Sequence, residues 1–220
     1  MLPECVEVLT GPRPAASVIW LHGLGADGHD FEPIVPELQD SLPCAVRFVF
    51  PHAPVRPVTV NGGYAMRAWY DIVSFDRSAP QDIAGIRQSQ QSILQLIQRE
   101  NERGVDTGRI VLAGFSQGGA MALYSGVRLA QPLAGIMALS CYLLEAASFA
   151  TERQAATLPV PVFMAHGDYD NVLPLALGER ARDHLLEAGY SVEWHRYPMP
   201  HSVMPQEIAD MGAWLARVIR

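Results

Sequence analysis

Residues 112–123 read LAGFSQGGAMAL and contain the pattern G-x-S-x-G, with Ser116 at its centre. A serine hydroxyl becomes a nucleophile only beside a base, a group that orients the base, and donors for the developing oxyanion. The apolar run at 110–113 predicts a strand, and the run at 120–123 predicts a helix. A strand–Ser–helix turn exposes the hydroxyl above a sheet and directs the next N–H, that of Gln117, to the same point. The pattern therefore predicts a nucleophile on a tight turn.

An acid and then a histidine should follow this serine, because that chain order is typical of hydrolases built on such a turn. Two aspartates, Asp168 and Asp170, come shortly after the apolar run 160–165. Their spacing leaves the choice open, since either carboxylate could instead cap the following helix. Of the seven histidines, only His201 follows an acidic loop and lies between a predicted strand, residues 191–197, and a predicted helix. His201 is therefore the candidate base.

The first predicted strand, residues 17–21, is followed by a glycine-rich stretch, residues 22–28, that permits two interpretations. In a hydrolase, the backbone N–H of Leu24 would be the second donor to the oxyanion, beside that of Gln117. The stretch also matches G-x-G-x-x-G, the fingerprint of a dinucleotide-binding oxidoreductase, which requires an acid at the end of the second strand. Residues 46–50 are followed by Pro-His instead. The hydrolase interpretation is favoured.

Short β-branched runs alternate with longer helical patterns along the chain, which is typical of βαβ units. The predicted strands are residues 17–21, 46–50, 109–113, 134–139, 160–165 and 191–197, and the predicted helices lie near residues 29–40, 81–103, 117–130, 175–188 and 203–219. This order predicts one α/β domain over residues 1–220, with a mostly parallel central sheet and helices on both faces. Ligands of such folds bind at the carboxyl ends of the strands, where the candidate residues lie.

Residues 53–80 interrupt the alternation, since they show neither a long helix nor a clear strand. A loop of this length in a compact domain is usually functional or disordered. Its aromatic residues favour an ordered loop that flanks the active site, and they are Tyr64, Trp69, Tyr70 and Phe75. We expect Trp69 and Tyr70 to contact the substrate. Val172 and Leu173, which follow the candidate aspartates, would complete an apolar groove for an acyl chain. The alternative is that the aromatics are ordinary core residues.

The composition excludes several classes of protein. With 49% hydrophobic and 18% charged residues, the 220-residue chain can bury a sizeable core and is unlike a disordered chain. A formal net charge of −7 argues against nucleic acid as the main partner. The three cysteines are widely spaced and no residues show metal-ligand spacing, which predicts no metal and a reducing compartment. The sequence shows no secretory leader and no apolar run of membrane-spanning length, so we expect a cytoplasmic protein.

These residues together resemble the bacterial carboxylesterase and acyl-protein thioesterase family of α/β-hydrolases, over essentially the whole chain. The segments that carry the resemblance are LHGLG (21–25), PHAP (51–54), AWYD (68–71), GFSQGG (114–119), HGDYD (166–170) and MPHS (199–202). The resemblance implies a fold without a large cap domain, with Asp170 as the acid and His201 as the base. It also implies the N–H groups of Leu24 and Gln117 as the oxyanion hole. Family members commonly have glycine before the histidine, whereas this chain has Pro200, which restricts the backbone.

The expected mechanism is attack by Ser116 on an acyl carbonyl, with His201 transferring the proton and Asp170 orienting the imidazole. The expected enzyme is a carboxylesterase or thioesterase that forms an acyl-enzyme on short-to-medium acyl chains, without metal or cofactor. Its candidate substrates are small acyl esters and thioesters, lysophospholipids and acylated proteins, and a homodimer is one assembly open to the chain. An α/β-hydrolase fold that only binds a ligand, without catalysis, is the alternative from a different functional class.

Overall fold

A seven-stranded sheet forms the centre of the computed structural model, which describes residues 2–74 and 79–219. The strands in chain order are β1 (Cys5–Leu9), β2 (Ala16–Leu21), β3 (Val46–Pro51), β4 (Val55–Val58), β5 (Tyr64–Arg67), β6 (Ile110–Phe115), β7 (Gly135–Leu139), β8 (Val162–Gly167) and β9 (Val192–Tyr197). The large sheet has the order β1-β3-β2-β6-β7-β8-β9, and only the β1–β3 pair is antiparallel. The mostly parallel sheet predicted from the sequence is confirmed.

Helices cover both faces of this sheet. They are α1 (Val35–Gln39), α2 (Ile83–Glu102), α3 (Gln117–Gly126), α4 (Ala146–Glu152), α5 (Leu175–Glu187) and α6 (Pro205–Val218). Side chains of β2 alternate between the two faces, because successive residues of a strand point in opposite directions. Val18 and Trp20 pack in the core beneath α1 and α6, whereas Ile19 and Leu21 pack in the core beneath α2, α3 and α5. Within residues 2–74 and 79–219, no helix has the length and apolar character needed to cross a membrane.

The six predicted strands are all present, as β2, β3 and β6 to β9. The helix predicted near residues 29–40 is much shorter, since a 3-10 turn at Glu32–Ile34 is followed by α1 over five residues only. Pro33 and Pro36 explain the difference, because proline fits the first turn of a helix but interrupts its interior. Neither β1 nor α4 was predicted.

The segment 53–80 contains a two-stranded antiparallel hairpin of β4 and β5, so the expectation that it holds no strand is wrong. The hairpin turn passes through Gly62 and Gly63, whose φ angles are +67° and +77°. Glycine adopts such angles without strain, and the run Asn-Gly-Gly is a turn signal that could have identified the hairpin from the sequence. Phe75, the last aromatic residue expected in this segment, lies outside the described residues.

Candidate active site

Ser116 lies on a sharp turn between β6 and α3, and its backbone has φ +54° and ψ −119°. A non-glycine residue in such a conformation costs about 1–3 kcal/mol and persists only when its surroundings enforce it. The surroundings do so here, since the Ser116 N–H donates to the Leu139 carbonyl at 2.9 Å and its carbonyl accepts from Ala120 N–H at 3.0 Å. The turn therefore holds the hydroxyl at the carboxyl edge of the sheet.

Glycines on both sides of Ser116 allow the turn to pack against its neighbours. A methyl group on Gly114 would overlap the backbone of Gly118. A methyl group on Gly118 would overlap the carbonyl group of Leu21, at the end of β2. The G-x-S-x-G pattern is thus required by the close approach of β2, β6 and α3 rather than by the chemistry of the serine itself.

Ser116, His201 and Asp170 form a continuous hydrogen-bonded chain. His201 Nε2 lies 3.0 Å from Ser116 Oγ, and His201 Nδ1 lies 2.7 Å from Asp170 Oδ2. Because an ionised carboxylate only accepts, the proton of the neutral imidazole is on Nδ1, and Nε2 is free to accept the hydroxyl proton. The His201 ring also packs against Phe115, with 4.7 Å between ring centroids. This arrangement can activate the serine as a nucleophile.

The two aspartates that spacing left open occupy different environments. Asp170 is buried, and its Oδ1 accepts the N–H groups of Val172 at 3.0 Å and Leu173 at 2.7 Å. Asp168 instead pairs with Arg196, at 2.7 Å between Oδ1 and Nε. Of the two aspartates, Asp170 is the one that contacts His201. The geometry therefore agrees with the aspartate that the family resemblance implied.

Pro200 does not prevent this geometry. A hydrogen bond joins the loop that carries His201 (the histidine loop) to the loop that carries Asp170 (the acid loop). In this bond the Met199 carbonyl accepts the Tyr169 N–H at 3.1 Å. Its turn closes through the Pro200 carbonyl, which accepts the Ser202 N–H at 2.9 Å. His201 therefore reaches both Ser116 and Asp170 although proline precedes it.

A second histidine lies behind the acid. His166 is fully buried, donates from Nε2 to the Leu173 carbonyl at 2.8 Å, and places that nitrogen 3.4 Å from Asp170 Oδ2. Burial lowers its pKa, although the Leu173 carbonyl and Asp170 act in the opposite direction. The bond from His166 to the Leu173 carbonyl stabilises the turn that carries Asp170.

Two backbone N–H groups near the serine are available for an oxyanion. Gln117 is the first residue of α3, so its N–H has no acceptor within the helix. Leu24 lies in the loop after β2 and lines the same pocket as Ser116. Neither N–H donates to another group in the part of the chain that the structure describes. The loop is fixed by Gly25, whose N–H donates to the Arg67 carbonyl of the hairpin at 2.9 Å.

The side chain of Gln117 has a role that the sequence did not suggest. It is buried, its Oε1 accepts the Trp69 N–H at 2.7 Å, and its Nε2 donates to the Tyr70 carbonyl at 2.8 Å. These two bonds attach the segment after β5 to the start of α3. No sequence signal distinguishes this glutamine from an exposed one.

His22 supports the oxyanion loop from beneath. Its Nε2 accepts the Ala53 N–H at 3.0 Å, so the proton is on Nδ1, which donates to the Gly23 carbonyl at 2.7 Å. Burial lowers the pKa of His22 to about 4, although the bond to Gly23 raises it. The loop that carries Leu24 therefore rests on a histidine that stays neutral at ordinary pH.

The pocket beside Ser116 and His201 has a volume of about 260 Å³, slightly below the usual range for ligand sites. Val172 and Leu173 line it, as expected. The sequence analysis did not identify four of its other lining residues, which are Asp30, Ile72, Phe115 and Tyr142. Only the first of these is charged. The pocket therefore suits a short apolar group.

Trp69 and Tyr70 do not line this pocket, so the expectation that they contact the substrate is not supported. The Trp69 indole donates to the His22 carbonyl at 2.9 Å, and the Ser89 hydroxyl donates to the Trp69 carbonyl. The Tyr70 hydroxyl lies 2.8 Å from that of Tyr142. Both aromatics are buried, and their polar atoms bond to neighbouring loops. They therefore fit the alternative interpretation, in which they are ordinary core residues.

The structure offers little support for a metal or a dinucleotide. Among residues 2–74 and 79–219, no group of three or more His, Cys, Asp or Glu side chains is arranged to hold a metal ion. A dinucleotide fingerprint leads into a helix N-terminus that binds the phosphates. Here the glycine-rich loop leads only to the 3-10 turn at Glu32–Ile34, and the Gly28 N–H already donates to His52 Nδ1 at 3.0 Å.

Comparison with known proteins gives an independent result. The sequence matches the family model described as phospholipase/carboxylesterase over residues 4–219. It is 44% identical to acyl-protein thioesterase 1 of Neurospora crassa over 205 residues, which cover 89% of this chain and 84% of the relative. The residues matched by the family model include the serine turn, the acid loop and the histidine loop.

Solved structures show the same similarity. The fold is similar to SOBER1 of Arabidopsis thaliana, with a TM-score of 0.86 and 27% identity over 93% of this chain and 99% of that chain. It is similar also to acyl-protein thioesterase 2 of Zea mays, with a TM-score of 0.83 and 26% identity over 99% of this chain and 100% of that chain. The similarity therefore covers the sheet, the helices and the loops of the candidate site.

The first prediction concerns the packing of the serine turn. Gly118→Ala should lower the free energy of unfolding by about 3 kcal/mol or more, because the added methyl group overlaps backbone atoms that cannot move independently. Gly108→Ala is the matched control, since a methyl group there meets no atom within 4 Å, and its effect should stay within about 0.5 kcal/mol. Urea unfolding measures both variants. Equal stability of the two would contradict the close approach.

Proposed function

Because the chain belongs to the phospholipase/carboxylesterase family of α/β-hydrolases, it is a serine hydrolase of esters or thioesters, and we propose that Ser116, His201 and Asp170 carry out the reaction. The observation that supports this assignment is the unbroken chain of two hydrogen bonds, at 3.0 and 2.7 Å, from the serine hydroxyl to the buried carboxylate. Family membership confirms the enzyme class predicted from the motifs and leaves the dinucleotide-binding and non-catalytic alternatives without support.

In the first half of the reaction, Ser116 Oγ attacks the acyl carbonyl while His201 Nε2 accepts its proton. The carbonyl oxygen becomes an oxyanion, which the N–H groups of Leu24 and Gln117 bind. One such donor typically contributes about 10²–10³ in kcat. The intermediate then collapses, the bond to the leaving oxygen or sulfur breaks, and His201 returns the proton to the leaving group. The acyl group remains on Ser116 as an ester.

In the second half, water replaces the leaving group. His201 Nε2 takes a proton from the water, which attacks the acyl-enzyme through a second oxyanion intermediate. Collapse of this intermediate releases the carboxylic acid and restores the Ser116 hydroxyl. Asp170 holds the imidazole in the Nδ1–H form throughout, and it stabilises the positive charge while the ring is doubly protonated.

The pocket supports a preference for short-to-medium acyl chains. Ile72, Leu173 and Tyr142 give one part of it an apolar surface, and its volume is about 260 Å³. Esters, thioesters and lysophospholipids are all candidate substrates, since each has the acyl carbonyl that Ser116 would attack. The curated relative is named an acyl-protein thioesterase, and we therefore include S-acylated protein among the substrate classes.

Two further expectations remain predictions. The cysteines that the structure describes, Cys5, Cys44 and Cys141, are all free, which is compatible with the cytoplasmic location expected from the sequence. The homodimer left open by the sequence requires a measurement in solution, such as light scattering.

The test of the proposed nucleophile is covalent labelling by a fluorophosphonate, which requires an activated serine. Wild-type protein should be labelled once per chain, and Ser116→Ala should lose both labelling and about 10⁴–10⁶ in kcat on an acyl ester. Ser202→Ala is the matched control, since this serine lies beside the catalytic histidine but outside the chain of hydrogen bonds. Turnover near that of wild type in purified Ser116→Ala would refute the mechanism.

The two aspartates give a second prediction for this site. Asp170→Asn should lower kcat by about 10⁴, because an amide in this position favours the wrong tautomer of His201. Asp168→Asn breaks only a surface pair with Arg196, so it should cost about 0–1 kcal/mol of stability and leave kcat nearly unchanged. Steady-state kinetics on one ester compares them. The opposite ranking would assign the acid to Asp168.

The acyl pocket gives a third prediction. Each methylene buried in the pocket contributes about 0.8 kcal/mol, close to a fourfold gain, so kcat/KM should rise over the first several carbons and then level. Aryl esters from acetate to palmitate measure this profile, and long-chain triglyceride droplets should be poor substrates. Leu173→Ala should reduce the rise, whereas Leu186→Ala, an exposed leucine on α5, should not. A steady loss of kcat/KM beyond acetate would contradict an apolar acyl pocket.

A further inference from the structure

A second cavity lies next to the Ser116 pocket, and one side chain borders both. This cavity, which we term the α5 cleft, has a volume of about 460 Å³ and is lined by Tyr142, Leu143, Ala146, Leu177, Ala181 and His184. Tyr142 also lines the pocket that contains Ser116 and His201. Tyr142 is the residue that the linings of the two cavities have in common.

Tyr142 is firmly held in this position. Its side chain is 7% exposed, and its hydroxyl lies within hydrogen-bond distance of the Tyr70 hydroxyl, at 2.8 Å. Tyr70 is held in turn by its carbonyl, which accepts from Gln117 Nε2. The ring is thus a fixed part of the wall.

Two leucines that are close together in the chain line the two cavities, one each. Leu173 lines the Ser116 pocket, and Leu177, four residues further along, lines the α5 cleft. Both leucines pack against the core beneath α5. The apolar surface of each cavity therefore includes one leucine of this stretch.

The α5 cleft has a mixed lining, in which apolar side chains could contact an alkyl chain and charged side chains lie beside them. Its apolar lining comes from residues after β7 and from α5, while the polar groups that border it include Arg180, Asp183 and Glu187. The single charged residue of the Ser116 pocket besides the catalytic groups is Asp30, which belongs to the segment after the oxyanion loop. An acyl chain is therefore favoured on the Tyr142 side, where Ile72 and Leu173 are apolar.

From these contacts we propose that Tyr142 determines the acyl-chain length that the enzyme accepts, by closing the Ser116 pocket against the α5 cleft. This inference rests on the proposed function, since it assigns the pocket to the acyl group. Removing the ring should join the two cavities, and additional methylenes would then be buried in the cleft. Tyr142 is a specificity-determining residue in this proposal, and it takes no part in the chemical steps.

The test compares kcat/KM for straight-chain aryl esters of increasing length in the wild type, Tyr142→Ala and Tyr142→Phe. In wild type the profile should level where the pocket ends. In Tyr142→Ala it should continue to rise by about fourfold for each added methylene, so that the ratio of long-chain to short-chain kcat/KM increases at least about tenfold. Tyr142→Phe keeps the ring and should keep the wild-type limit. Tyr64→Ala, an exposed tyrosine of β5, is the control for an unrelated loss of a ring.

Two results would overturn the proposal. One is a Tyr142→Ala profile that levels at the wild-type length, and the other is a Tyr142→Phe profile that shifts as far as that of Tyr142→Ala. Because each ratio is taken within one variant, a partial loss of folded protein does not change it. If Tyr142→Ala does not fold, Tyr142→Leu replaces it, because leucine fills more of the space near the backbone than alanine does. In Tyr142→Leu the chain length at which kcat/KM levels should increase by fewer carbons than expected for Tyr142→Ala.

A binding experiment separates this inference from the proposed function. In the Ser116→Ala background, the thermal shift caused by fatty acids of increasing length should level at one length with Tyr142 present and at a greater length in Ser116→Ala/Tyr142→Ala. An extended limit in binding, without any esterase activity in wild type, would refute the proposed function and retain the role of Tyr142. Hydrolysis of short esters by wild type with an unchanged binding limit would retain the function and refute this role.

Discussion

The close packing of β2, β6 and α3 around Ser116 is the constraint on which the rest of the site depends. The strained backbone of the serine costs about 1–3 kcal/mol, and it persists because glycines let the three elements approach within backbone contact. The contact partner of Gly118 is the carbonyl group of Leu21, where the oxyanion loop leaves β2. One packing contact therefore sets the relative position of the nucleophile and the Leu24 N–H. A preorganised pair of donors is the feature that makes such sites effective.

The elements that position the chemistry could be predicted from the sequence, because each functional residue follows a strand of the central sheet. Parallel strands bring their carboxyl ends to one edge, so Ser116, Asp170 and His201 were expected together although 85 residues separate the first from the last. Local signals were weaker for the remaining elements. The hairpin of β4 and β5 is short, contains a proline and is only partly buried, so it lacks the apolar alternation of a strand.

Side-chain roles within the wall were less predictable, since they depend on partners that are distant in the chain. The spacing of Asp168 and Asp170 allowed either to be the acid, and the difference is that one meets Arg196 and the other meets His201. Trp69 and Tyr70 were expected to contact the substrate as part of an ordered loop that flanks the site. Instead, the Gln117 side chain bonds to the backbone of both residues and holds this segment against α3. Both rings are buried in the core. A glutamine whose N–H is proposed to bind the oxyanion, and whose side-chain amide holds two distant backbone groups, leaves no pattern in the sequence.

The carboxylate of Asp170 has a consequence for how such an enzyme can diversify. The same group that orients His201 also accepts the N–H groups of Val172 and Leu173, so the turn that carries the acid also forms one wall of the pocket. An insertion or deletion in this turn would displace the acid together with the wall. Tyr142 lines the same pocket but takes no part in the hydrogen bonds of Asp170, so a substitution there would change the pocket without breaking the bonds that hold the acid. One wall of the pocket is thus tied to the catalytic acid, whereas the wall at Tyr142 is not.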